Sequence, residues 1–195
     1  MKSIAISGSP RENVGKRDAK ELRYQGLVPA VLYGGKNQIH FSVSAADLKA
    51  LVYTPDVSFV ALEIGSVKAQ AIIQDVNFHP LTDLPLHVDF LELSDSKKVR
   101  VKLPVRLTGS ARGVLAGGKL MTVFRNLQCV GLPGDLPDSI TLDIAKLKIG
   151  MSIRVKNIEI PGVTILDPAN AVVVSVKMAR GAVKGADADD DDDEA

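Results

Sequence analysis

From Ser3 onward, apolar and polar residues alternate in short runs broken by turn formers, a period of two that predicts β-strands. In the first half the pattern marks Ser3–Ser7, Ala30–Tyr33 after Pro29, His40–Val43, Ser58–Ile64, Val67–Val76 and His87–Leu93. Gly65-Ser66 falls between two of these runs and predicts a tight hairpin. Two stretches break the alternation with helical spacing. One runs between Gly15 and Gly26; the other runs from Ser44 to Val52, where Ser44 and Asp47 make a capping-box start. The polar run Ser94–Lys98 reads as a domain boundary. Beyond it strands are expected at Val99–Leu107, Leu127–Gly131, Ser139–Ile144, Ser152–Ile160 and Ala171–Met178. Turn signals recur between them at Ala116–Gly118, Leu132–Gly134, Pro161-Gly162 and Asp167-Pro168. Regular short strands with this punctuation predict an all-β sandwich or barrel. Residues 181–195 are low in complexity and acidic, and cannot bury enough apolar surface to order themselves. The expected organisation is therefore residues 1–93, residues 94–180 and a disordered tail at 181–195, mainly β throughout.

The charge distribution adds a function to this outline. The net charge of +1 hides seven acids in residues 187–195; without them 24 bases stand against 16 acids. The part before Leu93 is nearly balanced, but its first forty residues hold seven bases and three acids. From Lys97 to Arg125 eight bases face a single nearby acid, Asp95. Two such zones are the electrostatic footprint of a protein that binds nucleic acid. No run of 18 apolar residues exists, which argues against a membrane-spanning helix, and the first ten residues lack the apolar core of a signal peptide. The lone cysteine, Cys129, lies in a strand-like run without a catalytic context. A reducing cytoplasm is the expected location.

Between Gly15 and Gly26, steps of 100° put Lys16, Lys20 and Arg23 within roughly 60° of one another, while Ala19 and Leu22 turn toward the body. A helix with one cationic ridge and one small apolar face suits a polyanion. His87 and Asp89, two apart on an expected strand, face the same way. They read as a general-base pair, as a polar surface pair, or as a pair that hydrogen-bonds a base edge or phosphate; no nucleophile of recognisable context accompanies them. His40, His79 and His87 lack the cysteine or carboxylate spacing of a zinc site, and no cofactor motif is present. Gly34-Gly35-Lys36 and Gly117-Gly118-Lys119 do not fit a phosphate loop and read as hairpin turns. Gly34 would also allow close approach of an RNA backbone. Eight scattered aromatics make a poor stacking platform for single strands. No zinc finger or helix-turn-helix can be built, which disfavours DNA and leaves a structured RNA helix read through its backbone and minor groove.

The segments Arg11, Gly15-Lys16, Leu22-Arg23, Pro29–Gly34, Gln74–Val76 with His79-Pro80, and His87–Phe90 resemble the bacterial large-subunit ribosomal protein twenty-five family. The second half, with Gly109–Val114, Gly117–Leu120, Leu136–Asp143, Leu147–Gly150 and Ile160–Val163, resembles its long form, the general stress protein CTC family. That resemblance implies an antiparallel β-barrel with short helices in residues 1–93, which binds 5S ribosomal RNA without catalysis. It implies a second all-β domain after it and a cytoplasmic location on the large (50S) subunit, with 23S ribosomal RNA and neighbouring ribosomal proteins as further partners. The family's RNA contacts carry over to Arg11, Lys16, Lys20, Arg23, Tyr33, His87 and Asp89. Lys20 stands where arginine is frequent, and Glu21 where another base is common. A stress-regulated RNA-binding factor acting off the ribosome is the alternative role.

Overall fold

The computed structural model describes residues 3–35 and 37–178, so the expected acidic tail at 181–195 lies outside the described residues. Six strands, β1 (Ser3–Pro10), β2 (Leu27–Tyr33), β3 (Ile39–Ser44), β4 (Phe59–Ile64), β5 (Val67–Phe78) and β6 (Pro85–Glu92), close into a barrel in the order β1-β3-β2-β6-β5-β4. The expected barrel is present. Two of its pairings, β1 with β4 and β2 with β6, are parallel and the rest antiparallel. Helix α1 (Lys16–Tyr24) follows β1 and helix α2 (Ala45–Val52) follows β3.

Alternation along each strand supplies the barrel interior: Ile6, Val28, Ala30, Leu32, Phe41, Val43, Val60, Leu62, Val88 and Phe90 are all buried together. Phe41 and Phe90 meet at its centre with ring centroids 5.7 Å apart and planes tilted by 38°. α2 sends Leu48 and Leu51 into the same core, each contributing about 1.5–3 kcal/mol by burial. Ser44 caps that helix as expected, but its hydroxyl accepts from the Ala46 N–H at 3.3 Å. The Gly65-Ser66 hairpin joins β4 to β5 in register Ile64↔Val67.

Gly34 and Gly35 lie in the connection between the antiparallel neighbours β2 and β3, a hairpin as expected. Gly34 has φ +99°, and a Cβ there would sit 2.6 Å from Leu91 Cδ1. A left-handed backbone and the Leu91 side chain, both internal to the fold, already require glycine here.

By proximity of their Cα atoms the described residues group into two compact units. The first holds the chain up to Pro104 together with Gln128–Ser139 and Ile160–Ile165; the second holds Val105–Leu127, Ile140–Glu159 and the chain from Leu166. The later strands are β7 (Val99–Thr108), β8 (Gly118–Thr122), β9 (Asn126–Gly131), β10 (Ile140–Asp143), β11 (Ser152–Arg154), β12 (Val163–Ile165) and β13 (Val172–Met178). They form a four-stranded sheet, β10-β7-β9-β12, and a three-stranded sheet, β11-β13-β8. The local pattern misses three elements there. A one-turn helix α3 (Arg112–Leu115) ends at Gly117, whose φ is +88°. The expected hairpin at Ala116–Gly118 is thus a helix exit, and the chain continues into β8, which pairs with the distant β13. β12 was hidden behind Pro161-Gly162 because its partner, β9, is remote in sequence. The expected strand Ser152–Ile160 stops at Arg154: the register with β13 shifts between Ile153 and Arg154, and a 3-10 turn over Val155–Asn157 follows.

Candidate nucleic-acid interface

Strand β2 is buried on both faces. Val28, Ala30 and Leu32 point into the barrel, whereas Pro29 and Val31 alternate outward and are still covered. α1 packs against β2, with Ala19 and Leu22 half-buried and Lys16, Lys20 and Arg23 exposed. The expected cationic ridge is therefore the solvent side of α1. Gly15 precedes the helix in extended conformation; Gln25 N–H bonds to the Glu21 and Leu22 carbonyls and Gly26, at φ +78°, closes it. Asp18 in the first turn and Arg23 in the last both match the helix dipole. Lys20 Nζ lies over the Tyr24 ring at 5.7 Å from its centroid.

The remaining candidates lie on the outer face of β2-β6-β5. His87 Nδ1 and Asp89 Oδ1 are 2.7 Å apart, so the two side chains do face one way as the strand spacing requires. The pairing registers Val31↔His40, Val31↔Asp89 and Asp75↔Asp89 make one outward rung across four strands. Asn77 stands opposite His87. Tyr33 lies one outward step from Val31 on β2. Burial first, then the carboxylates of Asp89 and Asp75, raise the Tyr33 phenol above its usual pKa. It therefore stays protonated at neutral pH, and can donate while the neighbouring carboxylates accept.

Two bulges shape this face. Between β5 and β6 the register passes from Ile73↔Phe90 to Asp75↔Asp89, leaving Gln74 as the extra residue; it also passes from Asn77↔His87 to Phe78↔Pro85, leaving Leu86 as the extra one. The Leu86 carbonyl accepts a 3.0 Å hydrogen bond from Arg23 Nε. Arg23 is thus fixed beside His87, and its two terminal nitrogens remain as a fork of donors. Arg11 is placed differently. Its guanidinium donates to Asp18 Oδ2 at 2.5 Å and to the Asn13 carbonyl at 3.2 Å, and its side chain is only 10% exposed. It ties the first turn of α1 to the chain leaving β1. The structure thus gathers Lys16, Lys20, Arg23, Tyr33, His87 and Asp89 around α1 and the adjoining strands, and holds Arg11 in a partly buried ion pair.

Sequence reasoning did not count Asp75, Asn77 and His40 among the RNA contacts, yet the registers bring them onto the same outer face. Alternation points His40 outward, but Asp75 and Asn77 share the parity of the inward Ala71 and Ile73 and are turned outward by the bulge at Gln74; only the strand order then makes all three neighbours of Asp89 and His87. His79, by contrast, has its Nδ1 accepting from the Leu81 and Thr82 N–H groups at 3.3 Å each, which fixes a turn. Among the described residues no group of three His, Cys, Asp or Glu side chains is placed to hold a metal ion, and no helix is long and apolar enough to cross a membrane.

Against known proteins, the Ribosomal L25p family model matches residues 6–90, and that of the ribosomal protein TL5 C-terminal domain matches residues 98–180. A relative named large ribosomal subunit protein bL25, from Porphyromonas gingivalis, is 40% identical over 184 residues, covering 93% of this chain and 96% of its own. A protein of the same name from Christiangramia forsetii is 44% identical over 186 residues, covering 94% and 84%. A third, from Bacteroides fragilis, is 39% identical over 187 residues, covering 93% and 95%.

Proposed function

Because the chain belongs to the Ribosomal L25p family, in the form that carries a TL5-type C-terminal domain, we propose that its N-terminal barrel domain, residues 1–93, binds 5S ribosomal RNA on the large subunit. Members of this family are structural, non-enzymatic proteins of the large ribosomal subunit, which favours reading the His87–Asp89 pair as a binding contact over a general base. The observation that carries the RNA reading is the meeting of opposite chemistries on one surface. The exposed cations of α1 stand beside Arg23, pinned to the Leu86 carbonyl, and next to His87 and Asp89, whose Nδ1 and Oδ1 are 2.7 Å apart and leave the carboxylate as an acceptor.

Such a surface suits an RNA duplex approached from its minor groove. Lys16, Lys20 and Arg23 meet phosphates, which sets position and affinity. The Asp89 carboxylate, oriented by His87, accepts from base amino groups, which in the minor groove distinguish guanine. Tyr33 donates to a phosphate or a 2′-hydroxyl. Arg11 acts from behind, by holding the first turn of α1 in place. The domain of residues 94–180 adds contacts to 23S ribosomal RNA or neighbouring proteins within the cytoplasmic particle.

The test is titration of the full chain with 5S ribosomal RNA at several salt concentrations. Log affinity should fall linearly with log salt, and a duplex RNA of unrelated sequence should bind far more weakly. Equal affinity for both RNAs would overturn the reading. Sucrose-gradient sedimentation should place the protein with large subunits; sedimentation only with light fractions would favour a role away from the ribosome.

A further inference from the structure

A second cationic site lies on the first compact unit, built on β7 rather than on α1. Arg100 and Lys102, two apart on β7, are exposed on one face of that strand. They border a cleft of about 310 Å³ whose rim also carries Gln74 and Gln128 and whose floor includes Ile73 and Val101. All six residues belong to the same compact unit. No carboxylate lines the cleft. The Arg100 guanidinium reaches the side-chain oxygen of Gln128, a neutral acceptor. Gln74 is the extra residue of the β5 bulge, and the bulge turns it out of the ladder toward this cleft, while Asp75 beside it stays on the rung with Asp89.

We infer that this cleft is a second RNA contact, which seats a nucleotide unit of the phosphodiester backbone. Its volume falls at the lower end of the roughly 300–1,000 Å³ of small-ligand sites, enough for one sugar and its phosphates. Arg100, held at Gln128, and Lys102 neutralise the phosphate, and the exposed Gln74 carboxamide offers its N–H groups to phosphate oxygens and its oxygen to a 2′-hydroxyl. The apolar floor takes the sugar face. Without a carboxylate in the lining, the cations have an anion outside the protein as their natural partner. A solvated charged strand needs no concave seat and no bulge to aim an amide into it.

The inference rests on the RNA-binding reading above and extends it to a separate surface. The backbone seated here belongs either to 5S ribosomal RNA beyond the duplex held by α1, or to 23S ribosomal RNA. The full-length double variant Arg100→Gln with Lys102→Gln separates these. Its salt titrations against each RNA should show a slope less steep by about 2 for the RNA that occupies the cleft, at about 0.9 per phosphate contact. The slope for the other RNA should be unchanged. A charge-matched control, Lys49→Gln with Lys146→Gln, should leave both slopes nearly as in the wild type. Lys102→Gln alone, a single exposed change, should give about half the effect and guards against misfolding of the double variant.

Unchanged slopes for both RNAs, with Arg23→Ala still weakening 5S binding, would overturn the cleft and leave the α1 interface standing. An equal loss in the charge-matched control would also overturn it, since only the general field would be acting. If the variant binds both RNAs normally yet fails to join large subunits, the cleft meets a protein and the inference is wrong. Failure of the wild type to prefer 5S ribosomal RNA would remove the underlying reading itself.

Discussion

Arg23 on α1 donates through Nε to the carbonyl of Leu86 on β6, 3.0 Å away and 63 residues distant in sequence. Leu86 is the residue the β5–β6 register skips, so the bulge supplies the acceptor that fixes Arg23 beside His87. Arg23→Ala is therefore expected to weaken 5S ribosomal RNA binding by about 1–3 kcal/mol and to lower the salt slope by about 1. Arg23→Lys should recover the slope but only part of the affinity, because an ammonium lacks the fork that lets one nitrogen hold Leu86 while the others reach out. Filter binding at three salt concentrations measures both. An Arg23→Lys protein equal to wild type would show that charge alone matters there.

Asp89 should act on specificity rather than on attraction. Its negative charge opposes phosphates, so it is useful only where a base or sugar donor meets it. Asp89→Ala is expected to cost about 1–3 kcal/mol with 5S ribosomal RNA, while affinity for unrelated duplex RNA stays level or rises. Competition titrations give the ratio directly; a uniform loss on both RNAs would count against a base-reading role.

The Arg11–Asp18 pair predicts a stability effect. Asp18→Ala strands a guanidinium whose side chain is only 10% exposed and whose Nε already lacks a hydrogen-bond partner among the described residues. Full burial of both partners would make such a loss about 3–5 kcal/mol. Asp18 is 38% exposed, so a smaller loss of about 1–3 kcal/mol is expected. Urea denaturation of both single variants and of the double variant closes a cycle. The double variant should be more stable than the sum of the single losses implies.

Tyr33 predicts a dependence on alkaline pH. Its folded-state pKa is raised by burial and by Asp89 and Asp75, so the unfolded phenol ionises first. Below about pH 10, the unfolded value, both states keep the proton and Tyr33 contributes no slope. As pH rises from there, the unfolded state loses its proton before the folded one does, and stability falls until the folded pKa is passed. Tyr33→Phe should therefore lose less stability than wild type between pH 9.5 and 11, an interval chosen around the tyrosine pKa of about 10. Parallel unfolding curves for the two proteins over that interval would refute the assignment.

Gly113 tests the packing of the second unit. A Cβ at this position would lie 2.7 Å from the backbone N of Ile149 and 2.7 Å from the backbone C of Lys148. Backbone atoms cannot swing aside as a side-chain tip does. Gly113→Ala should thus cost about 1–3 kcal/mol by overpacking, despite alanine's better helix propensity of about 1 kcal/mol. A lower denaturation midpoint by circular dichroism is the expected result.

The alternation of apolar residues by itself determined that this chain is mainly β, where its first seven strands run and, except past the Gln74 bulge of β5, which of their residues turn inward. Phe41, Val88 and Phe90 follow from a period of two. Helical spacing likewise determined that Lys16, Lys20 and Arg23 share a face, with Ala19 and Leu22 turned about a quarter-turn or more away toward the body. These features are local, because each depends on the conformation of a few consecutive residues. The resemblance in both halves pointed to the family and to its RNA contacts, but not to the surroundings of each side chain, such as the Asp18 partner of Arg11.

Tertiary structure alone decided which strands are neighbours. β2 lies beside β6 and β8 beside β13 through pairings between distant segments, and no local pattern encodes a partner that far away. That is why Asp75 and Asn77 joined His87 and Asp89 only in the folded barrel, and why β8 and β12 passed for turns. It also separated Arg11 from the exposed cations. An arginine's charge is the same in either setting, but its use depends on whether Asp18 or solvent stands in front of it.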